Sequence, residues 1–359
     1  MNTPAAPAVT ATHETSPVMS THRFPLECLE ALMAERVEGF KTPLAVGQFQ
    51  GGMSNPTFLL TDAGGRRYVL RKKPPGKLLP SAHAVEREFR AISAMQAVGI
   101  PVAEPVLLCE DDTVIGQAFY IMGFADGRVF RDLRLPGMTA AERAAIYDTM
   151  NETLARLHAV DYRAAGLEGF GREGGYVARQ IKRWSEQYVA SKTDELASME
   201  RLMAWLPEHL PARDETTVVH GDFRLENMIF HPTDARVLAI VDWELATLGD
   251  PLSDLAYNCL PYHMVDPARG HLLDLSDAAA GIPAEADYLA AYCTRTGREP
   301  GDDWTFYLVL SLFRLAAIVQ GVYARALKGN ASSPAALQRK ERCRGLSELA
   351  CRLLDKAGA

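Results

Sequence analysis

The chain is predicted to be an α+β protein, with a small N-terminal antiparallel sheet plus one helix and a larger, mainly α part after it. Two patterns predict this: short apolar runs bounded by glycine turns extend to about residue 124, and apolar residues recur at three and four positions beyond Gly127. Strands are expected over Ala45 to Gln50, Thr57 to Thr61 and Arg67 to Arg71, with turns at Gly51-Gly52 and Asp62-Ala63-Gly64-Gly65. A helix follows over residues 84 to 98, where Val85, Phe89, Ile92 and Met95 keep helical spacing. A strand pair near Glu104 to Leu108 and Ala118 to Phe124 closes this part.

In the second part, Thr139-Ala140-Ala141-Glu142 is a capping box opening a helix through Ile146, Met150, Leu154 and Leu157. Thr217 to Val219 reads as a short strand leading into a loop at His220. Met228 to Phe230 and Val237 to Val241 read as a hairpin around His231-Pro232-Thr233-Asp234. Further helices are expected near 285 to 297, 303 to 328 and 335 to 355. Residues 1 to 20, rich in Ala, Thr, Pro and Ser, bury too little to offset ordering entropy and are expected to be a disordered tail. The expected division is thus 1–20 tail, 21–124 N-terminal lobe and 125–359 C-terminal lobe.

Of the 359 residues, 48% are hydrophobic and 23% charged, enough for two domains or one large bilobal one. A net charge of −7 argues against a broad phosphate-binding surface, so nucleic acid is not an expected partner. The six cysteines lack zinc-ligand spacing and read as reduced structural thiols. No uncharged apolar stretch reaches eighteen residues and no signal-peptide pattern opens the chain, so no membrane partner and a cytoplasmic location are expected.

Phosphoryl transfer needs a carboxylate to orient the attacking hydroxyl and a cation to neutralise the phosphate oxygens. The run His220-Gly221-Asp222-Phe223-Arg224-Leu225-Glu226-Asn227, followed by Asp242, supplies both. Asp222 would be the base, and Asn227 and Asp242, brought together by the hairpin, would hold Mg²⁺ through hard oxygens. Singly, Asp222 and Asn227 could equally cap turns; as a hairpin-spaced set of three, they point to chemistry. The Gly51-Gly52 turn would let backbone N–H groups approach phosphate, with Ser54 adding a hydroxyl, though a plain hairpin reads the same way.

The His220 to Asn227 run and its Asp-led metal segment resemble the catalytic loop of aminoglycoside phosphotransferases and choline kinases, relatives of protein kinases. Gly51-Gly52-Met53-Ser54-Asn55, Val69-Leu70-Arg71-Lys72-Lys73-Pro74-Pro75-Gly76 and Arg179-Gln180-Ile181-Lys182-Arg183-Trp184 resemble the kinase-like domain fused to acyl-CoA dehydrogenases in some animal proteins, and its stand-alone bacterial relatives. The resemblance runs from about residue 24 to the C-terminus. It implies a bilobal protein-kinase-like fold, ATP and Mg²⁺ as cofactors, and a small hydroxylated molecule as substrate. It carries Asn55 to the nucleotide side with Gly51, Gly52 and Ser54. Aligned with the V-A-I-K pattern, Arg71 takes the strand cation and Glu88 the helix glutamate, with Lys73 and Glu86 as competitors. Residues Met122 and Phe124 would contact adenine from the linker.

Only seven residues separate Asp242 from Asp250, too few for the protein-docking segment of protein kinases, which favours a small acceptor. Asp250 and Asp254 read as structural, Asp250 being an N-cap with Pro251 at the first helical position. On the substrate side stand Arg179, Arg183 and Trp184 on one helix, and Glu244 beside Asp242. The basic residues could hold a carboxylate or a phosphate of a CoA ester, or be a solvated face. Arg314, inside the apolar run Phe306 to Ile318, would bury a charge needing an acidic partner, for substrate binding or as a structural pair. The alternative to an active ATP:alcohol phosphotransferase is a nucleotide-binding pseudokinase acting as a regulator or partner.

Overall fold

The computed structural model describes residues 9–11, 15–49, 55–74, 83–276, 279–328, 337 and 339–358. Its contacts group into two units. One holds the chain up to Thr153 with Asp161–Glu168 and Arg224–Ala246; the other holds Leu154–Val160, Gly169–Phe223 and Thr247 onward.

The first unit is built on a six-stranded antiparallel sheet ordered Thr15–Ser16, Ala45–Phe49, Thr57–Thr61, Arg67–Lys72, Phe119–Gly123 and Pro105–Cys109. Alternation within Thr57–Thr61 buries Phe58 and Leu60, which pack with Leu70, Phe119 and Ile121 against Leu29 and Met33 of the helix Leu26–Arg36. That helix lies outside the predicted set, although Leu26, Leu29, Leu32 and Met33 carry a helical spacing. The helix Val85–Ala97 matches the expected 84–98 and buries Val85, Glu88, Ile92 and Met95. A second sheet pairs Val9–Ala11 with Arg128–Phe130, and that strand with the hairpin Met228–Phe230 and Val237–Ile240. A Cβ on Gly127 would stand 2.2 Å from the Phe230 carbonyl, so this close approach requires glycine.

Two expectations are corrected here. Val9–Ala11 and Thr15–Ser16 sit on sheet edges within the stretch read as disordered, because edge pairing uses backbone groups and needs no apolar side chain. The division at 124/125 also fails as a boundary: Arg128–Phe130 and the 228–240 hairpin bond to one another and belong to the first unit.

The second unit is mainly α, with one two-stranded antiparallel pair, Thr217–Val219 and Thr247–Gly249. The helices Tyr176–Ser191, Ala197–Glu208, Pro251–Cys259, Glu285–Thr296, Trp304–Leu327 and Lys340–Ala357 make up its bulk. Gly301–Leu327 is long and apolar enough to span a bilayer by composition, but 67% of its most apolar window is buried in the fold. The capping box holds at the start of Ala140–His158: Thr139 N–H donates to Glu142 Oε2 (2.7 Å) and Glu142 N–H to Thr139 Oγ1 (3.3 Å). All six cysteines are unpaired.

Asp250 caps Pro251–Cys259 by accepting from Leu252 N–H at 2.8 Å, and Tyr307 donates its hydroxyl to Asp250 at 2.9 Å. Burial nevertheless pushes the Asp250 carboxyl from 3.8 up to about 6, against the pull of those hydrogen bonds. The folded chain therefore holds this proton more tightly than the unfolded chain. That contribution, about 3 kcal/mol, is complete below about pH 4 and is lost as pH rises through 6. Asp250→Asn, which keeps an oxygen for Leu252 N–H, is expected to flatten this part of the stability profile, measured as the urea midpoint between pH 4 and 8.

Candidate active site

In the first unit a cavity of about 700 Å³ opens between the six-stranded sheet and the 228–240 hairpin. Val69, Ala103, Met122, Ile229 and Ile240 give it an apolar end, and Arg71, Asn227 and Asp242 a polar one. The polar end is assembled from distant sequence. Arg71 alternates out of the strand Arg67–Lys72 and sets its Nε 3.0 Å from Glu88 Oε2, with Nη2 2.9 Å from Asp242 Oδ1 and 3.2 Å from Glu244 Oε2. Burial works against charge on Arg71, but Tyr120, Glu88, Asp242 and Glu244 outweigh it and hold its pKa above the usual value.

Glu88 is 2% exposed. It accepts from Asn55 Nδ2 at 2.8 Å and from the Tyr120 hydroxyl at 3.1 Å. Burial pushes its carboxyl up to about 7, with Arg71 pulling the other way. Lys73, the competing cation, pairs instead with the competing Glu86 at 2.9 Å and does not line the cavity, whereas Arg71 lines it with buried Glu88 as its anchor. Glu88→Ala would strip Arg71 of its buried partner and leave Asn55 and Tyr120 unsatisfied. A loss of about 3–5 kcal/mol is expected, read from denaturant unfolding at pH 8.

Asn227 closes the 3-10 turn Leu225–Asn227, and its carbonyl accepts from Val241 N–H at 2.9 Å, which ties the two arms of the hairpin next to Asp242. Asp242 has φ 69°, ψ 57°, a left-handed conformation that few side chains adopt and that aspartate tolerates. Among the described residues no cluster of three or more His, Cys, Asp or Glu could by itself hold a metal ion. Two oxygen donors are nonetheless the protein share expected for Mg²⁺, which takes its other ligands from phosphate and water.

At the apolar end Met122 pairs across the sheet with Val69, and Phe124 lies under the Arg67 guanidinium at 4.3 Å. The Phe124 N–H donates to the Arg67 carbonyl at 3.2 Å. Gly51, Gly52 and Ser54 lie outside the described residues.

In the second unit, Asp222 stands on a loop whose backbone is held from several sides. Asp254 accepts from His220 N–H (2.7 Å) and Gly221 N–H (2.9 Å), and Asp222 N–H donates to His220 Nδ1 (3.3 Å). Gly221 has φ 79°, where a side chain would be strained. Asp254 is fully buried; burial alone would raise its pKa, but His158 and the loop amides hold it low. His158, buried against Tyr292 and Asp254, is a core residue, and burial lowers its pKa.

The substrate-side candidates separate. Arg179 donates to the carbonyls of Arg172 (2.6 Å) and Gly174, so its fork is spent on its own loop. Trp184 is buried, with Arg183 at 5.3 Å from its ring. Glu244 belongs with Arg71 in the other unit. Arg314, expected to need an acidic partner, meets none among the described residues: it donates to the Gly221 carbonyl at 2.6 Å and lies 5.7 Å from the Trp184 ring and 5.2 Å from that of Tyr257. Aromatic faces and a carbonyl take the place of the carboxylate. The isolated charge in an apolar helix was its only sequence signal.

The profile of the phosphotransferase enzyme family (APH) matches residues 45–304. Acyl-CoA dehydrogenase family member 10 of Mus musculus is 46% identical over 347 residues, covering 96% of this chain. The chain spans only 32% of that curated relative's length. A Ralstonia eutropha crystal structure, described as a candidate aminoglycoside phosphotransferase, matches at TM-score 0.84 and 48% identity, over 93% of this chain and 99% of that one. An amicoumacin kinase in complex with AMP-PNP, Ca²⁺ and Ami shares the fold at TM-score 0.57 and 17% identity, over 90% and 93% of the two chains. With its kinase-like α+β fold and these relatives, the chain belongs to the phosphotransferase enzyme family.

Proposed function

We propose that the chain transfers the γ-phosphate of ATP, with Mg²⁺, to a hydroxyl of a small molecule, a hydroxy acid or hydroxyacyl compound. The observation that carries this is the polar end of the cavity, where left-handed Asp242 and buried Asn227 stand beside Arg71, itself anchored on Glu88. Met122 and Phe124 would enclose the adenine, and Arg71 would meet the phosphates. Asn227 and Asp242 would hold Mg²⁺, which when bound neutralises charge on the phosphate oxygens. Asp222, joined to Asn227 by four residues of chain, would accept the proton of the attacking hydroxyl. Support for the acceptor class comes from the relatives, which bear acyl-CoA dehydrogenase names.

Calorimetric titration with ATP and GTP, with and without Mg²⁺, tests the nucleotide half. A panel of hydroxy acids, hydroxyacyl-CoAs, amino alcohols and aminoglycosides tests the acceptor half, with ADP and phosphorylated product both measured. ATP binding that strengthens with Mg²⁺, and ADP release only with a hydroxy acid or hydroxyacyl acceptor, is expected. Nucleotide binding without turnover across the panel would contradict the catalytic reading.

A further inference from the structure

Resting on the kinase reading of the Asp222 loop, we infer that Arg314 and Arg183, gathered at Trp184, form a subsite for an anionic group of the acceptor. Arg314 sits midway along the apolar helix Trp304–Leu327, where an unpaired charge is costly. The usual remedy, a carboxylate at ion-pair distance, is missing among the described residues. One edge of its guanidinium is fixed on the Gly221 carbonyl, one residue before Asp222, and the plane is steadied by Trp184 and Tyr257. Arg183, exposed, brings a second guanidinium to the same indole.

Two nearby acids are already engaged. Asp254 is taken up by His220, Gly221 and His158, and Asp250 by Leu252 and Tyr307. Two like charges held at one aromatic ring, beside the residue read as the base, favour an incoming anion over a cation. Arg179, read from the sequence as part of the same basic group, is excluded because its fork is occupied. The acceptor class is therefore a hydroxylated carboxylate or phosphate ester, not an amino alcohol.

Calorimetric titration of the nucleotide-free protein tests this without turnover. The probes are hydroxycarboxylates from glycolate to hydroxydecanoate and glycerol phosphate, against diols and amino alcohols of matching length. At least one anionic probe should bind about tenfold or more tightly than its neutral and cationic counterparts, and the two anionic arms separate carboxylate from phosphate. Arg183→Gln should weaken that binding about tenfold, Arg183→Lys less, and Arg314→Gln more. Because Arg314 also holds the loop, the exposed Arg183 pair of variants decides if Arg314→Gln does not fold. Equal binding of amino alcohols, no binding of any anion, or unchanged affinity in Arg183→Gln would overturn the proposal. Anion binding that persists in a protein without Mg²⁺-ATP binding would instead refute the kinase reading alone.

Discussion

Asp222→Asn is expected to lower turnover by about 10²- to 10⁴-fold while leaving Mg²⁺-ATP affinity within about threefold of the unaltered protein. The separation follows from how the loop is built. Its backbone is held by Asp254 on the His220 and Gly221 amides, by Arg314 on the Gly221 carbonyl and by Asn258 on the Phe223 carbonyl at 3.3 Å. None of these uses the Asp222 side chain. Asparagine keeps its size but loses the charge and the ability to take a proton, so the effect should fall on kcat. Steady-state kinetics with the best acceptor, beside calorimetric ATP binding, checks this; undiminished turnover would remove Asp222 as the base.

The second large effect is expected at Asp242. Asp242→Asn should abolish the Mg²⁺-dependent increment in ATP affinity, a loss of about 10²-fold, while the chain stays folded. Asparagine accepts the left-handed backbone seen here, and Arg71 keeps Glu88 and Glu244 as partners. What disappears is the charged oxygen that would hold the cation. Titrations with Mg²⁺ and with EDTA, in both proteins, read the increment directly. An increment retained in Asp242→Asn would place the metal elsewhere.

Most regular elements were legible because their signals are local. Alternation in Thr57–Thr61, three-four spacing in Val85–Ala97 and the Thr139 capping box each lie within one element of sequence. Arg128–Phe130 and Thr247–Gly249, by contrast, are too short to show a period, and they exist because distant partners supply the hydrogen bonds. The site shows the same contrast. The Arg71–Glu88 pairing comes from the family resemblance, with Lys73 and Glu86 as competitors, while Asp222, Asn227 and Asp242 stand out as a spaced set. The roles of Asp254 and Arg314 on the His220–Asp222 backbone do not, because they join residues far apart in the chain through main-chain atoms that leave no mark on side-chain identity. The substrate-side helix shows the limit most clearly: Arg179 and Arg183 look equivalent in sequence, yet one is spent on its own loop and the other faces solvent over Trp184.

Transfer of a phosphoryl group from ATP to a small hydroxylated molecule is tested by following γ-labelled ATP with Mg²⁺ and the acceptor panel, then separating protein from small molecules. The label is expected to appear as a phosphate monoester of one acceptor, one per ADP formed, and to be absent from it in Asp222→Asn. Label that stays in ATP, or that passes to water or protein, would contradict it.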